Sequence, residues 1–540
     1  MAHTQGGHRG QDIDNDFGRF GRMFPNLRGP IFDEDLLADL ARSMVKDDAG
    51  KDFGIGDGDE NEALPSAYTY FGQFVDHDIT LDLTGLGEQE ADPSAVENFR
   101  SARLDLDCVY GHGLGSSRFL YDADTMTFRI SATNIAPAKP GKVQTKFDLF
   151  RSPVGTALIG DHRNDENVIV AQIQQAFISC HNKIMASTNI MDASVTGYER
   201  FRKTVVTVRH HYQWIVLKDY LARICDPAIY AAMVPTQMGS KPPVRHYDAT
   251  DATWPYIPIE FSGAAYRFGH SMVRPSYALN SEAGTKPETL QDPRKARTRI
   301  PIFDMITGKE DLRGFKPISP ARGIDWGYLL DLPATPPTGT TSTRLTQPAY
   351  RMDSLLVDPL ADLPDHQGQS VKRRRSLPFL NLLRGSMMQL PTAEQVAGEL
   401  AMPTGGLGAF PLLSPKEIWS YGSKHMDPSK ISDAGDKKLV KDLIAKRKTL
   451  GLKFAGHTPL WYYVLREAEF VAPSDKDDLF GGTHLGPMGS ILLLETFLGL
   501  LWADADSILH HVGWRPHPEI MGSASVEKFG LREFIRYALT

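Results

Sequence analysis

The sequence predicts a mainly α-helical fold with very little β structure, built as a single large domain. Three observations predict it. Apolar residues recur at helical spacing in segment after segment of the 540 residues. Strand-like alternation is scarce and short, Thr127-Phe128-Arg129-Ile130 being the best case. Pro-rich connections are scattered, and no internal repeat is present. The length would allow three or four units at ~150 residues each, but nothing in the pattern marks a boundary between them.

In chain order, residues 1–20 are rich in Gly, His and Asp and read as an extended arm; they lack the apolar run of a secretory leader. Phe32 to Met44 has apolar residues at helical spacing, with acids in its first turn. Residues 67–84, Val168 to Ser187, Thr204 to Ile224 and Ala264 to Arg274 are further helical patterns. Residues 332–349 are a Pro/Thr/Gly loop. Helical patterns then follow at Leu377 to Met388, Ala393 to Leu400, Lys437 to Leu450, Pro459 to Phe470, Gly489 to Ala503 and Val526 to Leu539.

Composition narrows the function classes. Hydrophobic residues are 41% and charged residues 23% of the chain, which is globular composition. The net charge is 59 − 66 = −7, which argues against a general nucleic-acid binder. The one dense basic run, Lys372-Arg373-Arg374-Arg375, reads as a local salt-bridge patch. Cys108, Cys180 and Cys225 are too few and too far apart for a disulfide framework or a CxxC metal site. The most apolar stretch, Ile491 to Ala503, is too short to span a bilayer and carries Glu495, so it reads as a buried core helix. Cytoplasmic and mature secreted chains would share these features, and none of them encodes an oligomeric state.

The informative residues come in pairs at i,i+3 or i,i+4, a spacing that puts each pair on one helix face. They are Gln73 and His77, Arg163 and Glu166, Arg267 and His270, and Asn381 and Arg384. Each pair alone is weak: a lone His on a helix is usually structural, and an Arg–Glu pair is usually a surface ion pair. His210-His211 and His510-His511 read as structural or surface residues. The words around the four pairs are FGQFVDHD, GDHRNDEN, YRFGHS and LNLLRG, in that order, with VYG at Val109 to Gly111. Together they resemble the animal-type haem peroxidase superfamily, the myeloperoxidase and lactoperoxidase group with its bacterial relatives. The resemblance runs from about Ala67 to Leu539. It implies residues 1–30 as an N-terminal arm and 31–540 as one helical haem peroxidase domain.

The resemblance implies haem b, or a covalently modified haem, with His77 as the distal histidine and His270 as the proximal iron ligand. Asn381 resembles the asparagine that accepts the other ring N–H of the proximal histidine. Arg267 and Arg384 resemble residues that pair with haem propionates. Hydrogen peroxide is the implied oxidant and a small organic donor or a halide the implied reductant, by way of a ferryl porphyrin-radical intermediate. His77 would act as general base and then acid. Arg163 would stabilise charge on the leaving oxygen, and Gln73 would hold water or halide. Asp76 and Glu166 match carboxylates that form ester bonds to haem in the mammalian enzymes. The Met that follows the glutamate in myeloperoxidase is Asn167 here, so a sulfonium link at that position is excluded.

The resemblance also implies calcium. Asp78 follows His77 and points off the haem face, since each helical residue turns by ~100°. Ser101 to Asp107 resembles the family's calcium loop: Ser101 offers hydroxyl and carbonyl, Arg103 a carbonyl, Asp105 and Asp107 carboxylates. The mammalian pattern usually has Ser where this chain has Asp107. Two alternatives stay open. Cyclooxygenases and fatty-acid α-dioxygenases of the superfamily carry a radical-forming Tyr three residues before the proximal histidine. Here that position is Arg267, and Tyr266 stands four before and reads as packing. The second alternative is a non-catalytic haem/calcium adhesion-type module. A non-haem metallohydrolase lacks support, since no HExxH is present.

Overall fold

A computed structural model describes residues 18–45, 60–82, 97–135, 141–247, 249, 255–281, 299–304, 310–334, 345–364, 372–400, 412–432, 434–470 and 480–540. Ten helices of eight residues or more recur below. They are α1 (Glu34–Arg42), α2 (Ala67–Ile79), α3 (Val168–Ala186), α4 (Gly197–Trp214), α5 (Leu377–Met387), α6 (Ala393–Leu400), α7 (Ala434–Phe454), α8 (Leu460–Phe470), α9 (Pro487–Ala503) and α10 (Leu531–Leu539). The described strands are two to six residues long, in four small sheets. The expected mainly α architecture is what folds.

Two of these helices, α1 and α3, start where a side chain satisfies free N–H groups. Asp33 accepts from the N–H of Asp35 and Leu36 and opens α1. Asn167 does the same for Ile169 and Val170 and opens α3. α2 lies at the centre, packed on α3, and α3 packs in turn on α4 and α10. Phe74 of α2 stacks on Phe177 of α3 with centroids 4.8 Å apart and planes 8° from parallel. Tyr212 of α4 meets both rings edge-on, at 6.1 and 5.7 Å. Truncating a buried Phe of this kind costs about 3–5 kcal/mol, so this aromatic cluster fixes where α2 presents its polar face.

α9 is apolar on every side, and all its residues from Met488 to Leu501 are buried. Its one acid, Glu495, accepts the backbone N–H groups of Arg245, His246 and Tyr247, which satisfies the buried charge and clamps that loop. No helix among the described residues is long and apolar enough to cross a membrane. The three cysteines are buried and free. The three arginines of the basic run are paired: Arg373 and Arg374 with Glu34 at 3.2 and 2.9 Å, and Arg375 with Asp362 at 2.9 Å.

Four local expectations shift. The helix expected from Thr204 starts at Gly197 and runs through a π-helical turn, Ile215–Tyr220, to Ile224. Ala264 to Arg274 is only a 3-10 turn, Ala265–His270, because Arg274 precedes a proline and leads into a strand at Ser276–Tyr277. Val526 to Leu539 is a 3-10 turn, Val526–Lys528, followed by α10, with extended Gly530 between them. The Thr127–Ile130 strand moves on to Ile130–Ala132, because Met126 sits at φ 56 and Phe128 makes only a lone bridge to Tyr121. Within the expected 332–349 loop, residues 335–344 lie outside the described residues, as do 1–17 of the arm and 83–84 after α2.

Segment 18–24 enters the core. Gly18–Gly21 pairs in parallel with Tyr256–Pro258, and Glu260 accepts the N–H groups of Met23 and Phe24. Phe20 is thereby buried in the wall of the central cavity.

Candidate functional site

A cavity of about 760 Å³ opens between α2 on one side and the Ala265–His270 turn and α5 on the other. That volume falls in the range of small-molecule and cofactor sites, ~300–1,000 Å³. His77 and His270 both line it, with Gln73, Asp76, Arg163, Glu166, Arg267 and Arg384. Seven of the eight paired residues thus converge on one space, and Asn381 stands directly behind His270. Two pairs do not sit on long helices. Arg163 and Glu166 belong to the 3-10 turn His162–Asp165 and its end, opened by the Asp161 side chain, which accepts from the Arg163 N–H. Arg267 and His270 share the Ala265–His270 turn.

His77 is 4% exposed, at the buried face of α2. Its Nδ1 donates to Asn164 Oδ1 at 2.8 Å, and the Asn164 amide donates to Gln174 Oε1 at 2.9 Å. This fixes the ring proton on Nδ1 and leaves the Nε2 lone pair facing the cavity, 3.9 Å from Glu166 Oε1. Burial, reinforced by Arg163, lowers its pKa to about 3, so the ring is neutral at ordinary pH. Sequence reasoning passed over Asn164 and Asp161, although both lie inside the GDHRNDEN word; a polar residue beside Arg163 was the available signal.

Arg163 lines the cavity, but one edge of its guanidinium is engaged. Nε and Nη2 donate to Asp161, and Nη2 also reaches the carbonyls of His77 (3.1 Å) and Thr80 (2.5 Å). Those bonds tie the arginine to the C-terminal end of α2. Burial pushes the Asp161 carboxyl up, but the guanidinium groups of Arg163 and Arg100 override it and hold it well below the usual carboxylate range. Gln73 donates to Glu166 Oε1 and accepts from Asn167 at 3.1 Å. Asp76 accepts the Thr80 hydroxyl at 3.0 Å, and burial raises its pKa despite three nearby arginines.

On the opposite wall, burial and Arg267 lower the His270 pKa to about 3. The expected tie to Asn381 is present with the opposite polarity. Asn381 Oδ1 accepts from Arg267 at 2.9 Å, so its amide nitrogen faces His270 Nδ1 at 2.8 Å. Arg384 reaches across to Asp82 at 2.7 Å, bridging α5 to the segment after α2. Tyr266 also lines the cavity; its hydroxyl donates to the Gly72 carbonyl at 3.1 Å. His210 Nε2 donates to the Asp506 carbonyl and is buried, while His510 and His511 are exposed, so none of them belongs to this site.

Behind α2 lies a second cluster. Asp78, Asp105 and Asp107 are buried, with one carboxylate oxygen of each within 4.8 Å of the others. Asp78 Oδ1, Asp105 Oδ2 and the Ser101 hydroxyl have no hydrogen-bond partner. Buried oxygens left in this state fit a hard cation as the missing partner. Ala102 (φ 53) and Leu106 (φ 62) hold the loop in left-handed conformations that fold it onto the cluster. The Arg103 side chain pairs with Asp504 at 3.3 Å, leaving its carbonyl as the group it can offer. Burial pushes all three carboxyls up, Asp107 to about 7. Arg100 joins the two sites: it meets Asp107 at 3.4 Å and Asp161 at 2.6 Å.

Comparison with known proteins bears on the fold and the family. Residues 84–317 match the family model of animal haem peroxidases. Thyroid peroxidase of Mus musculus is 26% identical over 203 residues, 34% of this chain and 20% of that protein. Chorion peroxidase of Drosophila melanogaster is 26% identical over 155 residues, 27% of this chain and 18% of that protein. The chain thus spans between about an eighth and a fifth of the length of the curated relatives it matches. In fold, it is similar to peroxidase A of Dictyostelium discoideum, with TM-score 0.58 and 15% identity, over 99% of this chain and 98% of that one. The matched family model, the peroxidase relatives and the shared helical fold all support the animal-type haem peroxidase superfamily for this chain.

Proposed function

We propose that this chain is a haem-dependent peroxidase that reduces hydrogen peroxide and oxidises small organic donors or halides. The observation that carries the reading is one cavity lined by two neutral histidines, His77 buried and His270 half-buried, each tethered through Nδ1 to an asparagine. The residues fit haem: His270 would ligate the iron, Arg267 and Arg384 would pair with the propionates, and Asp76 and Glu166 stand where ester links could form. Bound haem supplies the redox chemistry that peroxide cleavage and donor oxidation require.

The protein's own part is proton handling and orientation. His77 Nε2, kept as a lone pair by Asn164, takes the proton of the peroxide and returns it to the departing oxygen. Arg163, tied to the end of α2, places positive charge beside that oxygen. Gln73, held by Glu166 and Asn167, orients water or halide. For His270 to bind iron through Nε2, its proton must sit on Nδ1, and Asn381 must present Oδ1 there. Moving Arg267 from Asn381 to a propionate frees that oxygen, so cofactor docking and ligand orientation are coupled through Arg267.

We further propose calcium at Asp78, Asp105, Asp107, the Ser101 hydroxyl and the Arg103 carbonyl, where it would lock the helix that carries His77. The single-domain reading is supported by one buried core running from Phe20 to Leu539, and the entry of residues 18–24 into that core counts against a separate arm over the whole of 1–30. The dioxygenase alternative keeps a fold-level likeness: fatty acid α-dioxygenase of Arabidopsis thaliana has TM-score 0.52 and 12% identity, over 98% of this chain and 76% of that one. The residue three before His270 is nonetheless Arg267, bonded to Asn381. Turnover decides: haem-loaded protein given peroxide and a phenol consumes both, and given a fatty acid consumes no oxygen. Haem retained without peroxide turnover would favour the adhesion-type module instead.

A further inference from the structure

We infer that the cavity mouth holds a docking site for anionic aromatic donors, formed by Phe315 with Arg313 and Lys316. The inference rests on the peroxidase reading and names its donor class. Seven large hydrophobic side chains are exposed among the described residues, and Phe315, 62% exposed, is the one that borders the cavity. Its backbone sits at φ 54, a left-handed conformation that costs a non-glycine residue about 1 kcal/mol or more. A phenylalanine that is both strained and solvent-facing contributes little to folding.

The turn is also rigid. Phe315 N–H donates to the Asp165 carbonyl and Gly314 N–H to the Glu166 carbonyl, both at 2.8 Å. A Cβ on Gly314 would lie 1.6 Å from the Asp165 oxygen, so the two segments touch as closely as backbone allows. The ring is therefore held in register with the segment that carries Arg163 and Glu166. Ile302, Phe303 and Leu312 continue an apolar wall from it into the cavity.

Charge selects the ligand class. The stretch 310–322 carries three cations, Arg313, Lys316 and Arg322, against two acids, Glu310 and Asp311. Glu310 faces Arg322 at 3.7 Å. Asp311 is 2% exposed in its side chain and is shared by Arg313 at 2.6 Å and Lys316 at 3.9 Å, so within this stretch cations outnumber acids by one and Lys316 is the more loosely held of the two. An aromatic ring stacked on Phe315 with a carboxylate toward Lys316 matches both features. Donation of one electron and the phenolic proton from such a molecule is the established kind of step for a peroxidase donor, so no further co-reactant is needed.

The probe is 3-(4-hydroxyphenyl)propionate, with its uncharged amide as control, titrated into the holoprotein without peroxide and followed by ligand-observed NMR. Phe315→Gly removes the ring and relieves the backbone strain, so it is expected to melt no lower than wild type while Kd for the acid rises roughly tenfold. Phe315→Tyr restores binding. Lys316→Gln lowers the preference for the acid over the amide by about fivefold. Phe119→Ala, at an exposed phenylalanine away from the cavity, leaves Kd unchanged. Undiminished binding by Phe315→Gly, or equal affinity of wild type for acid and amide, overturns the proposal. Because no turnover is read, failure of the peroxidase reading would appear separately, as absent peroxide consumption.

Discussion

Stripping the calcium proposed at the Asp78–Asp105–Asp107 cluster would leave three buried carboxylates, with one oxygen of each within 4.8 Å of the others. Burial opposes the charged form of each, and for Asp107 it moves the pKa from 3.8 to about 7. That is about three units, and at ~1.36 kcal/mol per unit the cost of ionising this one group in the fold is about 4 kcal/mol. The sign follows from proton uptake. A carboxyl whose pKa is raised in the fold binds more protons folded than unfolded, so its stabilisation is complete below about pH 3.8 and is lost as pH rises through about 7. Bound calcium replaces those protons and removes the dependence. At ~2.1 cal/mol/K per residue, 540 residues give an unfolding entropy near 1.1 kcal/mol/K. A loss of about 4 kcal/mol therefore lowers Tm by about 4 °C. Calorimetry of calcium-loaded and calcium-stripped protein, with metal analysis of both, is the assay. The gap should be about 4 °C at pH 7.5 and less than half that at pH 5. No gap, or a gap that widens toward acid, would refute the reasoning.

Four further outcomes follow from the site. Asn164→Ala frees the His77 ring to place its proton on Nε2; stopped-flow mixing with peroxide should show a rate loss of about tenfold, against ~10²–10⁴ for His77→Ala. Because His77 has a pKa of about 3 and is active when deprotonated, that rate should stay flat from pH 8 down to about 4 and fall only below; a midpoint near 6.5 would contradict the burial argument. Asn381→Asp gives His270 and Arg267 a carboxylate that accepts from both, so spectroelectrochemistry should find a lower Fe(III)/Fe(II) potential; an unchanged or higher one would count against the tie. Arg100→Gln leaves Asp107 and Asp161 without their shared cation, and losing one partner of a buried ion pair costs about 3–5 kcal/mol, so calorimetry should show a lower Tm even with calcium bound.

Much of the fold was legible because α1, α3, α5 and α8 pair an apolar face with clear ends, and periodicity reads both. The site was legible through local words: seven of the eight paired residues meet in the cavity, though His77 and Arg384 are over 300 residues apart. What sequence spacing misjudged was the local geometry that backbone constraints set. A proline after Arg274 and the glycines around His270 replace a helix with a 3-10 turn. The Asn381 tie has reversed polarity because Arg267 competes for the same oxygen, which only three-dimensional contact reveals. Asn164 went unread because an asparagine in a polar stretch carries no periodic signal. The exposed Phe315 was equally silent, since exposure and φ are properties of the folded chain.

The central claim is that His270 binds haem iron in the cavity faced by His77. Titrating the protein with haem and following the Soret band, for wild type and His270→Ala, tests it most directly. The account predicts one haem per chain in wild type with the spectrum of an imidazole-ligated iron. It predicts loss of that spectrum in His270→Ala, with recovery when free imidazole is added. A His270→Ala protein that bound haem with the wild-type spectrum, without added imidazole, would contradict it.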